Sequence, residues 1–244
     1  MPPALHHYQE FKQALDKYQV SDRGLKAMEG LKLILLLGPS TGGRNTIIRH
    51  QVATGRYHHI VSDTTRPPRV NDGVLEQDGV DYYFRSEEEM LADIKAGEFL
   101  EAEIIHGQQV SGISIRELER AKADGKIPIN DVDILGIHNI MKIKPDAFVV
   151  MVVPPSFEEW QRRLAKRGVM RPDELKRRLQ TAEKILDDGL KQPYYNFVIS
   201  ENVDQSGAII DAIIEGKQNP HQGRAPGIIE QIQYSLRNKL SEPF

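Results

Sequence analysis

Between residues 31 and 200 the chain alternates short apolar runs with longer stretches in which apolar residues recur every three or four positions, and this alternation limits the fold more than any other feature. Strand-like runs lie at 31–37, 58–62, 80–84, 99–105, 127–132, 147–153 and 196–200. Helical stretches lie at 45–54, 86–96, 114–124, 156–167 and 172–188. Strands that alternate with helices in this way predict an α/β fold of three layers, a mainly parallel sheet with helices on both faces. The runs 80–84 and 99–105, with "HGQQVSG" following, read as a small antiparallel patch inserted in that scheme.

Both ends add helices. Leu5, Tyr8, Phe11, Leu15 and Tyr18 fall at spacings of three and four, the pattern of an amphipathic helix laid on a core. A polar turn at "SDRG" then precedes the first buried strand. The stretch 215–227, "EGKQNPHQGRAPG", reads as a linker. Beyond it Ile228, Ile229, Ile232, Leu236 and Leu240 form a second apolar stripe that either packs back on the domain or meets a second copy, so monomer and homodimer both stay open.

Composition excludes several chemistries. The 32 basic and 35 acidic residues leave a net charge of -3, too balanced to draw the chain to nucleic acid or to an anionic membrane. Aromatic residues make up 7% and do not interleave with basic clusters, which argues against a nucleic-acid platform. The chain has no cysteine, so disulfides, thiolate metal sites and a cysteine nucleophile are all excluded. A cytoplasmic location is expected, since the first residues lack the apolar stretch of a signal peptide and the longest aliphatic run, 33–37, is too short to span a bilayer. His6–His7 and His58–His59 are adjacent pairs, and neighbours on a strand point to opposite faces.

The first strand runs into "GPSTGGRNT", residues 38–46. Phosphate-binding loops of the pattern G-x-x-x-x-G-K-S/T use glycines to turn backbone N–H groups onto one anion, backed by a helix N-terminus. Gly38 and Gly43 keep the spacing, with Pro39, Ser40, Thr41 and Gly42 between them. Arg44 replaces the lysine, keeping its charge but not its shape. Asn45 replaces the hydroxyl on the magnesium side, offering a carbonyl oxygen to a hydrated Mg²⁺, and Thr46 follows. On its own this loop is compatible with a phosphate cradle and with a ligand-free strand-to-helix turn.

Further along, "VSDTTRPPRVNDGVLEQDGVDYYF" has Ser62, Thr64 and Thr65 as donors and Arg66 and Arg69 three apart, a set suited to one phosphate. With "GPSTGGRNT", "SDTTRPPR", "EQDGVDY", "GEFLEAEIIHG", "NDVDILG", "VVPPSFEEWQRRLAKRG" and "DELKRRL" in order, the chain resembles the guanylate kinases over roughly residues 31–215. The resemblance implies a three-layer P-loop kinase core, a small mixed β GMP-binding insertion at about 62–115 and a helical lid at about 160–180. A helical extension (1–30) and a linker with a C-terminal helix (216–244) flank that core. It also implies the reaction of ATP with GMP or dGMP, with Mg²⁺ as cofactor, to give ADP and GDP. Residues 38–46 then hold ATP, with Asn45 on the metal side. The GMP phosphate falls to Ser62, Arg66, Arg69 and Tyr82, and the guanine to Glu101. Asp131 and Asp133 match the acidic pair near acceptor and metal. Glu76 matches the acid of the E-x-x-G-x-D-Y block after a four-residue insertion. The family's N-Y-Y-G-S/T segment appears as "GQQVSGIS", which puts Ser111 in place of the tyrosine and Ser114 in place of the base hydroxyl. Arg163, Arg167 and Arg178 match the arginines that bridge the two nucleotides, with Arg44 as the fourth catalytic cation.

Two other readings share these residues. A catalytically silent relative would bind GMP or a phosphopeptide without turnover, although it would have no use for three arginines aimed at ATP. A kinase for another phosphorylated acceptor, such as a sugar phosphate, would keep the arginines and ignore guanine.

Overall fold

The computed structural model describes residues 5–71, 73–105, 107–166, 168 and 170–242. Helices α1 (Tyr8–Asp16) and α2 (Asp22–Met28) precede strand β1 (Ile34–Leu37) and helix α3 (Arg44–Ala53). Seven strands and two helices follow: β2 (Tyr57–His59), β3 (Asp63–Thr64), β4 (Val70–Asn71), β5 (Val74–Leu75), β6 (Tyr83–Phe84), α4 (Glu87–Lys95), β7 (Phe99–Ile105), β8 (Gln109–Ser114) and α5 (Ile115–Ala123). The chain continues through β9 (Ile127–Asp131), α6 (Ile134–Ile143), β10 (Phe148–Val153), α7 (Phe157–Lys166), α8 (Pro172–Lys191), β11 (Tyr195–Ile199), α9 (Val203–Ile214) and α10 (Ala225–Ser241). The polar "SDRG" segment is not a turn but the start of α2, because the Ser21 side chain accepts the Gly24 N–H and caps the helix. Similar caps fix α4, where Ser86 and Glu89 form a capping box, and α9, where Asn202 accepts from the N–H groups of Asp204 and Gln205. No helix among the described residues is long and apolar enough to cross a membrane.

The chain divides into two compact units. The unit made of 32–57, 129–137 and 146–244 holds strands β11, β10 and β1 and most of β9, neighbours in that order in one sheet. Its central strand β1 runs parallel to β10 (Ile34 opposite Phe148) and to β9 (Ile34 opposite Ile129). All four β1 residues are buried, which is why this strand reads as an unbroken apolar run rather than an alternating one. Helix α10 lies against α7 and α8 with Ile229, Ile232 and Leu236 buried, so the apolar stripe packs back on its own chain. The stretch read as a linker is docked instead. Asn219 Nδ2 donates to Phe197 O (3.0 Å), Gln222 Nε2 to Tyr195 O (2.9 Å), and the N–H groups of Phe197 and Ile199 donate to Gln222 Oε1 and His221 Nδ1 (3.1 and 2.9 Å). Side chains thus satisfy the outer edge of β11. Burial, with Arg224 nearby, holds His221 below the ordinary imidazole range, which keeps Nδ1 free to accept.

The other unit, 1–31, 58–128 and 138–145, holds the sheet β6-β3-β8-β7. Here β7 and β8 form an antiparallel hairpin, β3 runs antiparallel to β8 and parallel to β6. The expected patch therefore exists with a different partner set: the run 80–84 pairs with β3, and 99–105 pairs with β8, a strand whose Gly, Ser and Gln content hides it in the sequence. Strands β4 and β5 make a separate hairpin. Helix α1 packs on α4 and β7, with Phe11 fully buried beside Met90, Ile94, Phe99 and Val110.

Glu117 is 1% exposed at the centre of this unit. It accepts from His58 Nε2 and Val61 N (both 3.1 Å), Tyr83 Oη (3.2 Å) and Arg120 Nη1 (3.0 Å). Burial opposes its ionisation, but these hydrogen bonds win and hold the carboxyl at about 2, against an ordinary 4.5. A depressed carboxyl stabilises the fold above its ordinary range, and that contribution disappears as pH falls through about 2. Glu117→Gln is expected to cost about 2–3 kcal/mol in urea unfolding at pH 7, with the gap to wild type closing as pH approaches about 2. A gap that stays constant over that range would refute the assignment.

Candidate active site

The loop after β1 is shaped by contacts that leave no room for side chains. A Cβ on Gly38 would lie 2.4 Å from the Val152 carbonyl oxygen, and Gly43 has φ 111°, a left-handed conformation that favours glycine. Thr41, at φ 62°, is the one non-glycine residue with positive φ among the described residues, a conformation that costs on the order of 1–3 kcal/mol. The Gly42 N–H donates to Pro39 O (2.9 Å), so that amide closes the turn rather than facing a ligand. The first bond inside α3 runs from Ile47 N to Gly43 O (3.0 Å). The N–H groups of Arg44, Asn45 and Thr46 thus precede the intrahelical ladder, at the positive end of the helix dipole.

Side chains from distant segments of the same unit converge on this loop. Trp160, fully buried on α7, donates from Nε1 to Ser40 O (2.8 Å). Arg178 Nη1 donates to Ser40 Oγ (2.7 Å), and Glu174 Oε1 accepts from Arg178 Nε (3.1 Å) and Nη2 (2.6 Å). Arg163 donates from Nη1 to Ser200 Oγ (2.8 Å) and Gly42 O (3.3 Å), from Nη2 to Ser200 O (2.7 Å), and from Nε to Glu159 (2.8 Å). Hydrogen bonds from Arg162 and Arg163 hold the Glu159 carboxyl down at about 2. Arg44 Nη1 lies 3.1 Å from Asp131 Oδ2. Asp133 Oδ1 accepts from Gly136 N (2.8 Å), fixing the start of α6. Arg167 lies outside the described residues. Asn45 and Thr46 are exposed on the first turn of α3.

The remaining candidates, Ser62, Arg66, Arg69, Glu76, Tyr82, Glu101, Ser111 and Ser114, belong to the other unit. Asp131 and Asp133 belong to the loop's unit instead. Arg66 is 8% exposed, lies 4.6 Å from the centre of the Tyr82 ring and makes a two-pronged pair with Glu76, in which Nη2 reaches Oε1 at 2.9 Å. Glu76 Oε2 also accepts the Arg69 N–H (2.9 Å), so the acid across the insertion pins the loop that carries both arginines. Arg69 Nη2 donates to Gln109 Oε1 (3.3 Å). The Ser62 carbonyl accepts from Tyr83 N (2.9 Å). The Ser111 hydroxyl donates to Asp63 O (2.8 Å). Glu101 stands opposite Ile113 just after a bulge in β7. Ser114 precedes α5 with its Oγ buried and unpartnered among the described residues.

Sequence reasoning missed three features. Asp63 is fully buried between Arg85 (3.0 Å) and Arg116 (3.0 Å), and it occupies a position the motif leaves variable. Gln109, the partner of Arg69, lies in the segment that departs from the family pattern and so carries no motif signal. Trp160 and Ser200 carry no local signal, since they reach the loop from 120 and 158 residues away.

A family model described as Guanylate kinase matches residues 30–217. A guanylate kinase of Corynebacterium diphtheriae is 36% identical over 189 residues, 77% of this chain and 96% of its own length. One from Symbiobacterium thermophilum is 35% identical over 201 residues, 82% of this chain and 92% of its own. Among solved structures, guanylate kinase from Anaplasma phagocytophilum matches with a TM-score of 0.54 at 25% identity, covering 76% of this chain and 85% of that one. Helices α1, α2 and α10 fall outside the residues matched by the family model.

Proposed function

The chain belongs to the guanylate kinase family, and from that membership we propose that it transfers the γ-phosphoryl group of ATP to GMP or dGMP, giving ADP and GDP or dGDP. The observation that carries this reading is the loop after β1, whose glycine-dependent turn, open helix end and adjoining guanidinium groups suit a polyphosphate. The loop's unit takes the donor. Arg44 supplies the cation where the family motif has lysine, and Arg178, on Ser40, faces the charge that builds on the transferring phosphoryl. An oxygen of the GMP phosphate attacks the γ-phosphorus, the bond to the β-phosphate oxygen breaks, and ADP leaves.

The acceptor falls to the other unit, where Ser62, Arg66, Arg69 and Tyr82 take the GMP phosphate and Glu101 the N1–H and amino group of guanine. Glu76 holds the arginine loop in shape. Ser114 brings a hydroxyl whose hydrogen-bonding capacity is unfilled among the described residues. The core of this activity is residues 31–215, with the acceptor part at about 62–115 and a lid at about 160–180.

Magnesium fits this donor set. Hard cations take oxygen ligands, and a magnesium ion carried by ATP needs only one or two from protein. Asn45 Oδ1 and the Asp131 carboxylate offer them, while no cluster of three His, Asp or Glu among the described residues forms a separate cage. Once bound with ATP, the ion neutralises charge on the phosphates.

ADP release measured by a coupled assay tests the reading. GMP should support turnover and AMP should not. Glu101→Ala is expected to lower kcat/KM for GMP roughly ten- to a hundredfold, the value of charge-assisted hydrogen bonds to the base, with thermal stability unchanged. GMP binding without ADP release would leave a recognition module, and indifference to the base would point to another acceptor.

A further inference from the structure

We propose that Ser200, together with Trp160 and Arg163, is a positioning residue for the donor nucleotide: the three hold the carbonyls of the phosphate loop so that its N–H groups face the incoming phosphates. The inference rests on the kinase reading above for its substrate, and on the loop's hydrogen bonds for its geometry.

In a trans peptide the C=O of one residue and the N–H of the next point in opposite directions across a rigid plane. Trp160 Nε1 captures the Ser40 carbonyl at 2.8 Å, which turns the Thr41 N–H the other way. The Gly42 carbonyl accepts from Ser200 Oγ at 2.7 Å and from Arg163 Nη1 at 3.3 Å, which turns the Gly43 N–H away from α7 and Ser200. Two loop amides are thus aimed by groups on the opposite side, before any ligand arrives. The need for such bracing is visible in Thr41, whose left-handed backbone persists only where its surroundings impose it.

Ser200 is suited to this task. It is 7% exposed at the end of β11, its N–H donates to Val153 O (2.8 Å), and its carbonyl accepts from Arg163 Nη2 (2.7 Å). One hydroxyl serves both partners, donating to Gly42 O and accepting from Arg163 Nη1. Gly43 packs against it closely, since a Cβ there would lie 3.3 Å from Ser200 Cβ. Arg163 is committed to the same brace, because Glu159, Ser200 and Gly42 engage all three of its nitrogens. It therefore acts through the loop, and the transferring phosphoryl is left to other arginines.

The chain has a single tryptophan, so Trp160 emission reports on the loop directly. In the full-length protein, Ser200→Ala is expected to raise KM for ATP about tenfold and leave the dissociation constant for GMP unchanged; Ser200→Thr, which keeps the hydroxyl, should recover most of the loss. A non-hydrolysable ATP analogue should change Trp160 emission in wild type and, at equal concentration, less in Ser200→Ala. Arg163→Ala should raise KM for ATP in the same way. Unchanged ATP affinity in Ser200→Ala, or a thousandfold fall in kcat at unchanged ATP affinity in Arg163→Ala, would overturn the proposal. A wild-type chain that formed no GDP, yet bound the analogue more weakly after Ser200→Ala, would sink the kinase reading and keep the brace.

Discussion

Arg178→Ala is expected to lower kcat for GMP phosphorylation by roughly a thousandfold, the effect of removing a guanidinium from the transition state of phosphoryl transfer. Its side chain is already aimed. Nη1 sits on Ser40 Oγ at 2.7 Å, and Glu174, one helical turn earlier, grips Nε and Nη2. Unlike Arg163, it touches the loop through a side-chain hydroxyl rather than a backbone carbonyl, so it can move to the phosphates without loosening the turn. Binding of GMP should be unaffected, which separates this residue from those of the acceptor unit. Arg178→Lys should recover only part of the rate, because a point charge cannot reproduce a planar fork. A loss below tenfold in single-turnover measurements would remove Arg178 from the reaction.

The second large effect concerns Arg44. Arg44→Ala is expected to lower kcat/KM for ATP roughly 10²- to 10³-fold, as for other preorganised donors at a site of charge development. Arg44→Lys is expected to lose activity as well, by about tenfold, although it restores the usual motif. The reason is Asp131, whose carboxylate lies 3.1 Å from Nη1: a guanidinium has other N–H groups left for phosphate while it keeps that partner, and the shorter spread of an ammonium does not match both. If that is the cause, Asp131→Asn and Arg44→Lys will not be additive in a double-mutant cycle. A Lys variant that outperforms wild type would show that the loop is impaired rather than adapted.

The central strands and the amphipathic helices were legible in the sequence because their signals are local and repeated. Continuous apolar runs gave β1 and β10, and the 3.6-residue period gave α4, α7 and α8 close to their observed bounds. Helix α6, "ILGIHNIMKI", is too apolar overall to show a face, and its short run resembles a strand until its neighbours are known. Helix α2 was hidden by Gly24, which is there for packing: a Cβ would lie 2.4 Å from Val20 Cγ1. The phosphate loop was legible because its motif is contiguous. What holds the loop was not, since Trp160, Arg163 and Ser200 meet it only after the sheet has brought 120 to 158 residues of chain back to one place.

The family match ends at residue 217, two positions before Asn219, the first of the side chains that occupy the free flank of β11. A domain trimmed to the family's own limits would lose Asn219, His221 and Gln222 and uncover a row of main-chain donors and acceptors able to template another strand. The segment after the matched core therefore takes up, with amide and imidazole groups, hydrogen bonds that a sixth strand would otherwise make.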